Sequence, residues 1–230
     1  MKQKQPILGI DLGTTYSLAC IADQRGQLHF FTPEGEGEYL VPSVFFHRGG
    51  GEVLIGSEAE GEENQIDDPL EVIRNVKRSM DRNYSEVDRP PKTFKSGGRS
   101  FLPSQVSGHI LRSLKRAAER EFETPPPGGF HSEFDFKGSI TGAVVTVPAY
   151  FGPREREATR DAAVFAGFTE DQVTLLDEPV AAALGMGLQN EPGRRLIMVV
   201  DLGGGTCDIT VLKAGVGVSD GGFRELGRVG

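Results

Sequence analysis

The sequence predicts an α/β protein in which a mixed sheet is flanked by helices. In the second half of the chain, fully apolar segments at residues 143 to 147 and 173 to 176 alternate with helical patterns at 153 to 168 and 178 to 188. Buried strands that alternate with helices are typical of this class. A short β unit at the start of the chain also returns about 190 residues later, near its end.

The N-terminal third is predicted to be mostly strands and loops. Three β segments bounded by turn residues form an antiparallel meander, at residues 7 to 11, 16 to 22 and 27 to 31. Residues 33 to 63 are rich in Gly and Glu, which is typical of surface loops, here around short strands at 43 to 46 and 53 to 55. Apolar residues at helical spacing then predict a helix over 69 to 80.

The clearest helix is predicted between residues 103 and 122. Its apolar side chains form one stripe, and Pro103 suits the first turn. The stripe contains Val106, Ile110, Leu111, Leu114, Ala117, Ala118 and Phe122. The run TPPPGG at 124 to 129 ends this helix, because consecutive prolines cannot continue it.

A polar segment at residues 189 to 195 is predicted to separate two lobes. The second β unit follows it, with strands at 196 to 200, 207 to 213 and 222 to 226. We expect lobe I over 1 to 190, with an inserted subdomain at roughly 33 to 115, and only the beginning of lobe II over 195 to 230.

Composition excludes several classes of protein. The net charge of −8 and the pI of about 5.1 argue against nucleic-acid binding, which needs a basic face. The sequence shows neither a signal peptide nor an apolar run long enough for a membrane helix. With only two cysteines among 230 residues, a reducing, cytoplasmic location is expected.

Two glycine turns suggest a phosphate site. The stretches LGIDLGTTYSL, at 8 to 18, and VVDLGGGTCDI, at 199 to 209, both run an apolar strand into Asp-Leu-Gly. Glycine lets backbone N–H groups approach phosphate oxygens, and an aspartate beside them can hold a divalent cation. Either turn alone could be a plain β turn, whereas two facing turns would form a clamp around one nucleotide.

Four motifs in order, GIDLGTTYS, AVVTVPAYF, LLDEPVAAAL and VVDLGGGTCDI, resemble the nucleotide-binding domain of DnaK-type, seventy-kilodalton heat-shock chaperones. That family belongs to the actin and sugar-kinase superfamily. The resemblance covers essentially the whole chain. It implies an actin-like (ribonuclease H-like) fold and an ATPase that uses ATP and ADP with Mg²⁺ and a monovalent ion such as K⁺.

The resemblance also implies the site residues. Asp11, Asp201 and Asp208 would lie near the metal, largely through water, and Asp201 would also be a catalytic residue. Thr206 would be both a phosphate ligand and a catalytic residue. The two phosphate turns would be Gly13, Thr14, Thr15 and Tyr16, and Gly203, Gly204, Gly205 and Thr206.

Lys77 and Glu178 would assist hydrolysis, Lys77 at the γ-phosphate and Glu178 near the metal and the attacking water. For Lys77, the neighbouring Arg78 or a solvated helix face remain alternatives. For Glu178, the alternative is an acid that only complements the N-terminus of a helix. Pro148 and Arg156 match residues that couple nucleotide state to substrate binding, although they could simply end a strand and carry a surface charge.

The chain departs from the family pattern at three positions. Asp177 replaces the usual Asn, Val180 the usual Thr, and Cys207 a common Phe. Asp177 adds negative charge beside the expected metal site, so metal affinity or hydrolysis rate could differ. Cys207 is expected to be a small buried residue.

The resulting hypothesis is a chaperone ATPase domain that couples hydrolysis to the binding and release of unfolded polypeptides. Those clients would bind a domain absent from this chain, and the family implies a J-domain co-chaperone and a nucleotide exchange factor. The isolated chain is expected to be inactive. The alternatives are a chaperone-like nucleotide sensor with little hydrolysis, and another kinase-like or filament-forming member of the superfamily.

Overall fold

The computed structural model describes residues 4–86, 89–125, 130–188, 195–204, 207–215 and 222–229. The chain divides into two compact units. The first contains Met1–Val145 and Pro153–Thr174, and the second contains Thr146–Gly152 and Leu175–Gly230. The lobe boundaries expected from the sequence stay a prediction.

In the described residues the strands are, in chain order, β1 (Leu8–Leu12), β2 (Tyr16–Ala22), β3 (Leu28–Phe30), β4 (Val41–Pro42), β5 (Phe45–Arg48), β6 (Glu52–Ile55), β7 (Phe94–Ser96), β8 (Arg99–Phe101), β9 (Ala143–Val147), β10 (Val173–Asp177), β11 (Arg195–Leu202), β12 (Cys207–Ala214) and β13 (Phe223–Val229). The α-helices are α1 (Ser57–Glu62), α2 (Pro103–Glu123), α3 (Pro153–Phe165) and α4 (Glu178–Gly185). Short 3₁₀ helices include Pro69–Glu71 and Val76–Arg82.

The largest sheet of the described residues has the strand order β10-β9-β1-β2-β3, with β4 beside β2. It is a mixed sheet flanked by helices, which confirms the predicted α/β class. The predicted N-terminal meander is also confirmed, because β2 pairs antiparallel with both β1 and β3.

The core of the first unit is built on α2. Every residue of the predicted apolar stripe is buried, including Ile110, Leu111 and Leu114 at 0% exposure. Gly108 lets α3 approach closely, since a Cβ there would lie 2.6 Å from Cδ1 of Phe165 and 2.9 Å from the carbonyl oxygen of Ala162. A glycine inside a helix is tolerated here because it serves this packing.

The second unit contains the antiparallel sheet β11-β12-β13 and α4. One sheet face packs on α4 through a buried cluster of Ala183, Leu212, Ala214 and Phe223. Along β11 the opposite face is apolar and exposed. On β11 it presents Leu196, Met198, Val200 and Leu202, at 54% to 80% exposure.

The predicted helix over 69 to 80 is wrong. Two 3₁₀ helices replace it, and between them Ile73 forms an antiparallel bridge with Phe45, with N–H···O distances of 2.8 and 3.0 Å in the two directions. Leu70 is 86% exposed, and Asn75 has the left-handed φ of 55° that interrupts a helix. Tertiary pairing of Ile73 overrides the helical periodicity.

Cys207 also differs from expectation, because its side chain is exposed and lies beside Leu202 on the open face of the second sheet. Cys20 and Cys207 are both free thiols. None of the helices in the described ranges combines the length and the apolarity needed to cross a membrane.

Candidate functional site

The first glycine turn joins β1 to β2. The last ladder pair before it is Leu12 with Ser17, so residues 13 to 16 form the connection. Asp11 lies one pair further from the turn, opposite Leu18, and is exposed. Thr14 is half-buried, while Thr15 and Tyr16 are exposed.

Ser43 holds this turn from one side. Its hydroxyl donates to the carbonyl of Gly13 at 2.9 Å, and its N–H donates to the carbonyl of Thr15 at 2.7 Å. A second hydroxyl, Oγ of Ser17, lies 2.8 Å from Oγ of Ser43. Because the N–H and C=O of a trans peptide point in opposite directions, the amides of Thr14 and Tyr16 point away from Ser43. The turn therefore presents backbone donors on the side opposite its anchor.

Gly13 has no room for a side chain. A Cβ at this position would fall far inside the 3.0 Å closest approach of real Cβ atoms to the carbonyl oxygen of Tyr16, and 3.2 Å from its carbonyl carbon. The obstacle is backbone of the same turn, which cannot rotate away as a side chain could. The glycine is thus required by the path of the turn.

The second glycine turn has the same register. Leu202 pairs with Cys207 across β11 and β12, so four residues again separate the last ladder pair, and the aspartate of Asp-Leu-Gly again lies one pair further in. Gly203 and Gly204 are exposed. Gly205 and Thr206, the other two predicted phosphate ligands of this turn, lie outside the described residues. The repeat seen in the sequence is therefore also a repeat of strand pairing.

The second hairpin carries a carboxylate pair that the first lacks. Asp201 and Asp208 are direct cross-strand partners, whereas the partner of Asp11 is Leu18. Both aspartates are half-buried and, by the alternation of the strands, face α4 together with Val199 and Thr210. Like charges directly opposite one another destabilise a sheet, so this pair suits a site that receives a cation.

Glu178 begins the helix that packs on the same face. Pro179 is buried at the start of α4, and Val180 packs against the cluster that includes Val199. Glu178, Asp201 and Asp208 therefore belong to the same unit. Within the ranges that the structure describes, no three His, Cys, Asp or Glu side chains lie close enough to enclose a metal ion.

Lys77 occupies the second position of the 3₁₀ helix Val76–Arg82 and is 8% exposed, whereas the adjacent Arg78 is exposed. The alternative of a solvated face therefore fits Arg78 and does not fit Lys77. The burial of Lys77 makes it the better functional candidate of the two.

Pro148 directly follows β9 and is buried, and its carbonyl accepts the N–H of Phe151 at 3.0 Å. This contact makes a tight turn after the strand. Arg156 lies in the first half of α3 and is half-buried, so it is more than a solvated surface charge. Their predicted coupling role stays a prediction.

The predicted site residues fall into both units. Asp11, the first turn, Lys77 and Arg156 belong to the first unit, and Pro148, Glu178, Asp201, Gly203, Gly204 and Asp208 belong to the second. Sequence reasoning missed Ser17 and Ser43, which are buried at 1% and 2% exposure. The available signal was a lone serine in each of two apolar segments, YSLACIA and VPSVFF.

Comparison with known proteins gives consistent matches. A family model described as Hsp70 protein matches residues 7–221. Two relatives named Chaperone protein HscA homolog, from Acidovorax sp. (strain JS42) and Acidovorax ebreus (strain TPSY), are each 37% identical over 244 aligned residues. These alignments cover 98% of this chain but 36% of each relative, so the chain spans about a third of their length.

Proposed function

Because the chain belongs to the Hsp70 family and carries its nucleotide-binding region, we propose that the intact protein binds and hydrolyses ATP and uses that cycle to bind and release unfolded polypeptides. The observation that carries the proposal is the repeated hairpin: two Asp-Leu-Gly turns with one register, the first tightly closed at Gly13. Partners of the intact protein would include polypeptide clients, a J-domain co-chaperone and a nucleotide exchange factor.

The first turn would bind phosphate through its backbone. The amides of Thr14 and Tyr16 point away from Ser43 and are placed to donate to phosphate oxygens, while Ser43 fixes the carbonyls on the other side. Preorganised donors of this kind stabilise developing charge without rearranging during the reaction.

The cross-strand pair of aspartates in the second unit would hold the cation. Carboxylate oxygens are the donors that Mg²⁺ prefers, and Asp201 and Asp208 supply two of them side by side. A bound Mg²⁺ neutralises phosphate charge. Glu178, at the start of α4, would orient the attacking water and accept its proton, and Lys77 would stabilise charge at the γ-phosphate.

The test is Mg²⁺-dependent ATP hydrolysis by the full-length protein, measured in a single turnover. We expect Lys77→Ala and Asp201→Asn each to lower the rate by about 100-fold or more, since each removes a charge that positions the reacting groups. Lys95→Ala and Asp67→Asn make the same changes at exposed positions of the first unit and should leave the rate unchanged. Equal rates in all five proteins would refute the proposal.

One observation favours a slower enzyme that mainly senses nucleotide. Asp177 is the N-cap residue of α4 but makes no side-chain capping hydrogen bond, and it adds a charge next to Glu178. Asp177→Asn would raise the single-turnover rate if this charge slows hydrolysis. An unchanged rate in that variant, together with fast hydrolysis by the natural protein, would remove the sensor alternative.

A further inference from the structure

The first unit contains a groove that none of the candidate nucleotide residues lines. It lies along α2 and has a volume of about 400 Å³. Its lining residues come from α2, from β6 and Gly51 just before it, from Glu58 of α1, and from the loop at Pro33 and Glu34. We call it the α2 groove. Its volume lies within the range of small-molecule sites.

Three arginines line the groove on α2. Arg112, Arg116 and Arg120 are spaced by four residues, which places them on one face of the helix. Two of them already have partners. Arg120 donates to Glu34 at 3.0 Å and to the carbonyl of Thr32 at 3.2 Å. Arg112 donates to the carbonyl of Phe165, with its guanidinium carbon 4.6 Å from the centre of that ring.

Arg116 is different. Its side chain is exposed and forms no ion pair or hydrogen bond with any residue that the structure describes. Burial, and then the positive charge of Arg116, lowers the pKa of Arg112, so the two guanidinium groups lie close enough to repel each other. Glu58 also lines the groove. The charged side chains that line the groove are therefore three arginines and two glutamates. In a chain with a net charge of −8, this is a local cationic excess.

The remaining lining is apolar. Val53 and Ile55 of β6 are half-buried and Pro33 is buried, so they offer a hydrophobic surface beside the arginines. His109 is neutral at pH 7, because burial, assisted by the charges of Arg112, His47 and Arg116, lowers its pKa to about 4. Its ring lies 4.8 Å from that of Phe165 in an edge-on arrangement.

We propose that the α2 groove binds a small organic anion, whose carboxylate or phosphate is held by Arg116 and Arg112 and whose apolar body lies on Val53 and Ile55. A free small molecule and an acidic side chain of a partner protein share this chemistry. The site does not depend on the proposed ATPase, because no residue of the groove belongs to the nucleotide site.

The test is a titration of the chain with phenyl phosphate, monitored by calorimetry and by the amide chemical shifts of Val53, Ile55 and Arg116. Phenol and inorganic phosphate are the matched probes, since each retains half of the ligand. We expect saturable binding of phenyl phosphate, and at least tenfold weaker binding of either matched probe. The loss of one charge-assisted hydrogen bond changes the affinity by about tenfold.

Variants locate the binding. Arg116→Gln should weaken phenyl phosphate binding about tenfold, and Arg116→Lys should restore part of it. Arg99→Gln is the control, because it removes one charge from an exposed arginine on β8, outside the groove. A titration that Arg116→Gln leaves unchanged, or in which phenol binds as well as phenyl phosphate, would overturn the proposal, as would no binding at millimolar concentration.

A second arm identifies the source of the anion. The capped peptide Leu-Glu-Leu is compared with its Gln analogue and with phenyl phosphate. Tighter binding of the acidic peptide, lost in Arg116→Gln, would support the groove as the site of a partner's acidic side chain, and weaker binding would support a free small molecule. ATP hydrolysis by full-length Arg116→Gln should equal that of the natural protein, so failure of this proposal is distinguishable from failure of the ATPase.

Discussion

Replacing Gly13 with alanine tests whether the first turn is shaped by close backbone contact. The added Cβ would overlap the carbonyl oxygen of Tyr16 and lie 3.2 Å from its carbonyl carbon. Neither atom can move without moving the turn. We therefore expect Gly13→Ala to displace the loop, lower the stability of the first unit and weaken nucleotide binding by the intact protein.

The magnitude follows from two contributions. Forcing a methyl group against packed backbone costs about 1–3 kcal/mol. Displacing the turn also strains the 2.9 Å hydrogen bond from Ser43 to the carbonyl of Gly13, which contributes about 0.5–1.5 kcal/mol. The expected loss in the free energy of unfolding is thus about 2–4 kcal/mol.

Gly9→Ala is the matched control. Gly9 lies on the same strand, and a Cβ there would be 3.6 Å from the carbonyl oxygen of Cys20, which is an ordinary contact. Urea denaturation of both variants, followed by far-UV circular dichroism, measures the difference. If the free energy of unfolding of Gly13→Ala were less than about 0.5 kcal/mol below that of Gly9→Ala, the turn would be able to accept a side chain, and the close-approach argument would fail.

Three further outcomes are expected. In urea denaturation, the free energy of unfolding of Gly108→Ala should be about 1–3 kcal/mol below that of Gly61→Ala. Both variants gain helix propensity, but a Cβ at Gly61 faces open space, whereas one at Gly108 meets α3. Equal stabilities would contradict the close packing of α2 on α3. Ser43→Ala should lower the free energy of unfolding by about 1–3 kcal/mol by leaving buried polar atoms without a partner, and a neutral effect in the same urea assay would show that water replaces the hydroxyl. Because the pKa of His109 falls from 6.5 to about 4 on folding, the unfolded chain binds more protons between these two values, and the free energy of unfolding falls as the pH decreases through them. His109→Phe should remove on the order of 1 kcal/mol of this pH-dependent loss of stability, after allowance for solvent screening. Identical pH profiles of stability for the variant and the natural protein would exclude this role of His109.

The sequence predicted the elements whose patterns agree with their tertiary environment. The stripe on α2 could be read because one helix face is fully buried, and the repeated hairpins could be read because each couples an apolar strand to Asp-Leu-Gly. The β7 and β8 hairpin was missed, although its signal was present: Gly97 and Gly98, both at positive φ, separate two short segments rich in Phe and Ser.

The failure at residues 69 to 80 has a physical cause that periodicity cannot show. The spacing of Ile73 and Val76 fits a helix, but the backbone of Ile73 is paired with Phe45, which comes from a distant part of the chain. Long-range pairing of this kind is invisible in a local window. The same limit applies to the candidate site, where the sequence offered the aspartates and glycines. A serine within an apolar segment was its only sign of Ser43, and that sign does not reveal which turn Ser43 holds.

The open face of the second sheet governs how the chain behaves in concentrated solution. Its leucine, methionine and valine side chains attract one another between molecules, while the net charge of −8 keeps the molecules apart. Added salt shortens the range of that repulsion to about 8–10 Å near physiological ionic strength, and sulfate also strengthens hydrophobic association. This chain should therefore salt out at a low salt concentration. Its colloidal stability should be greatest at low ionic strength and at a pH well above the pI of about 5.1.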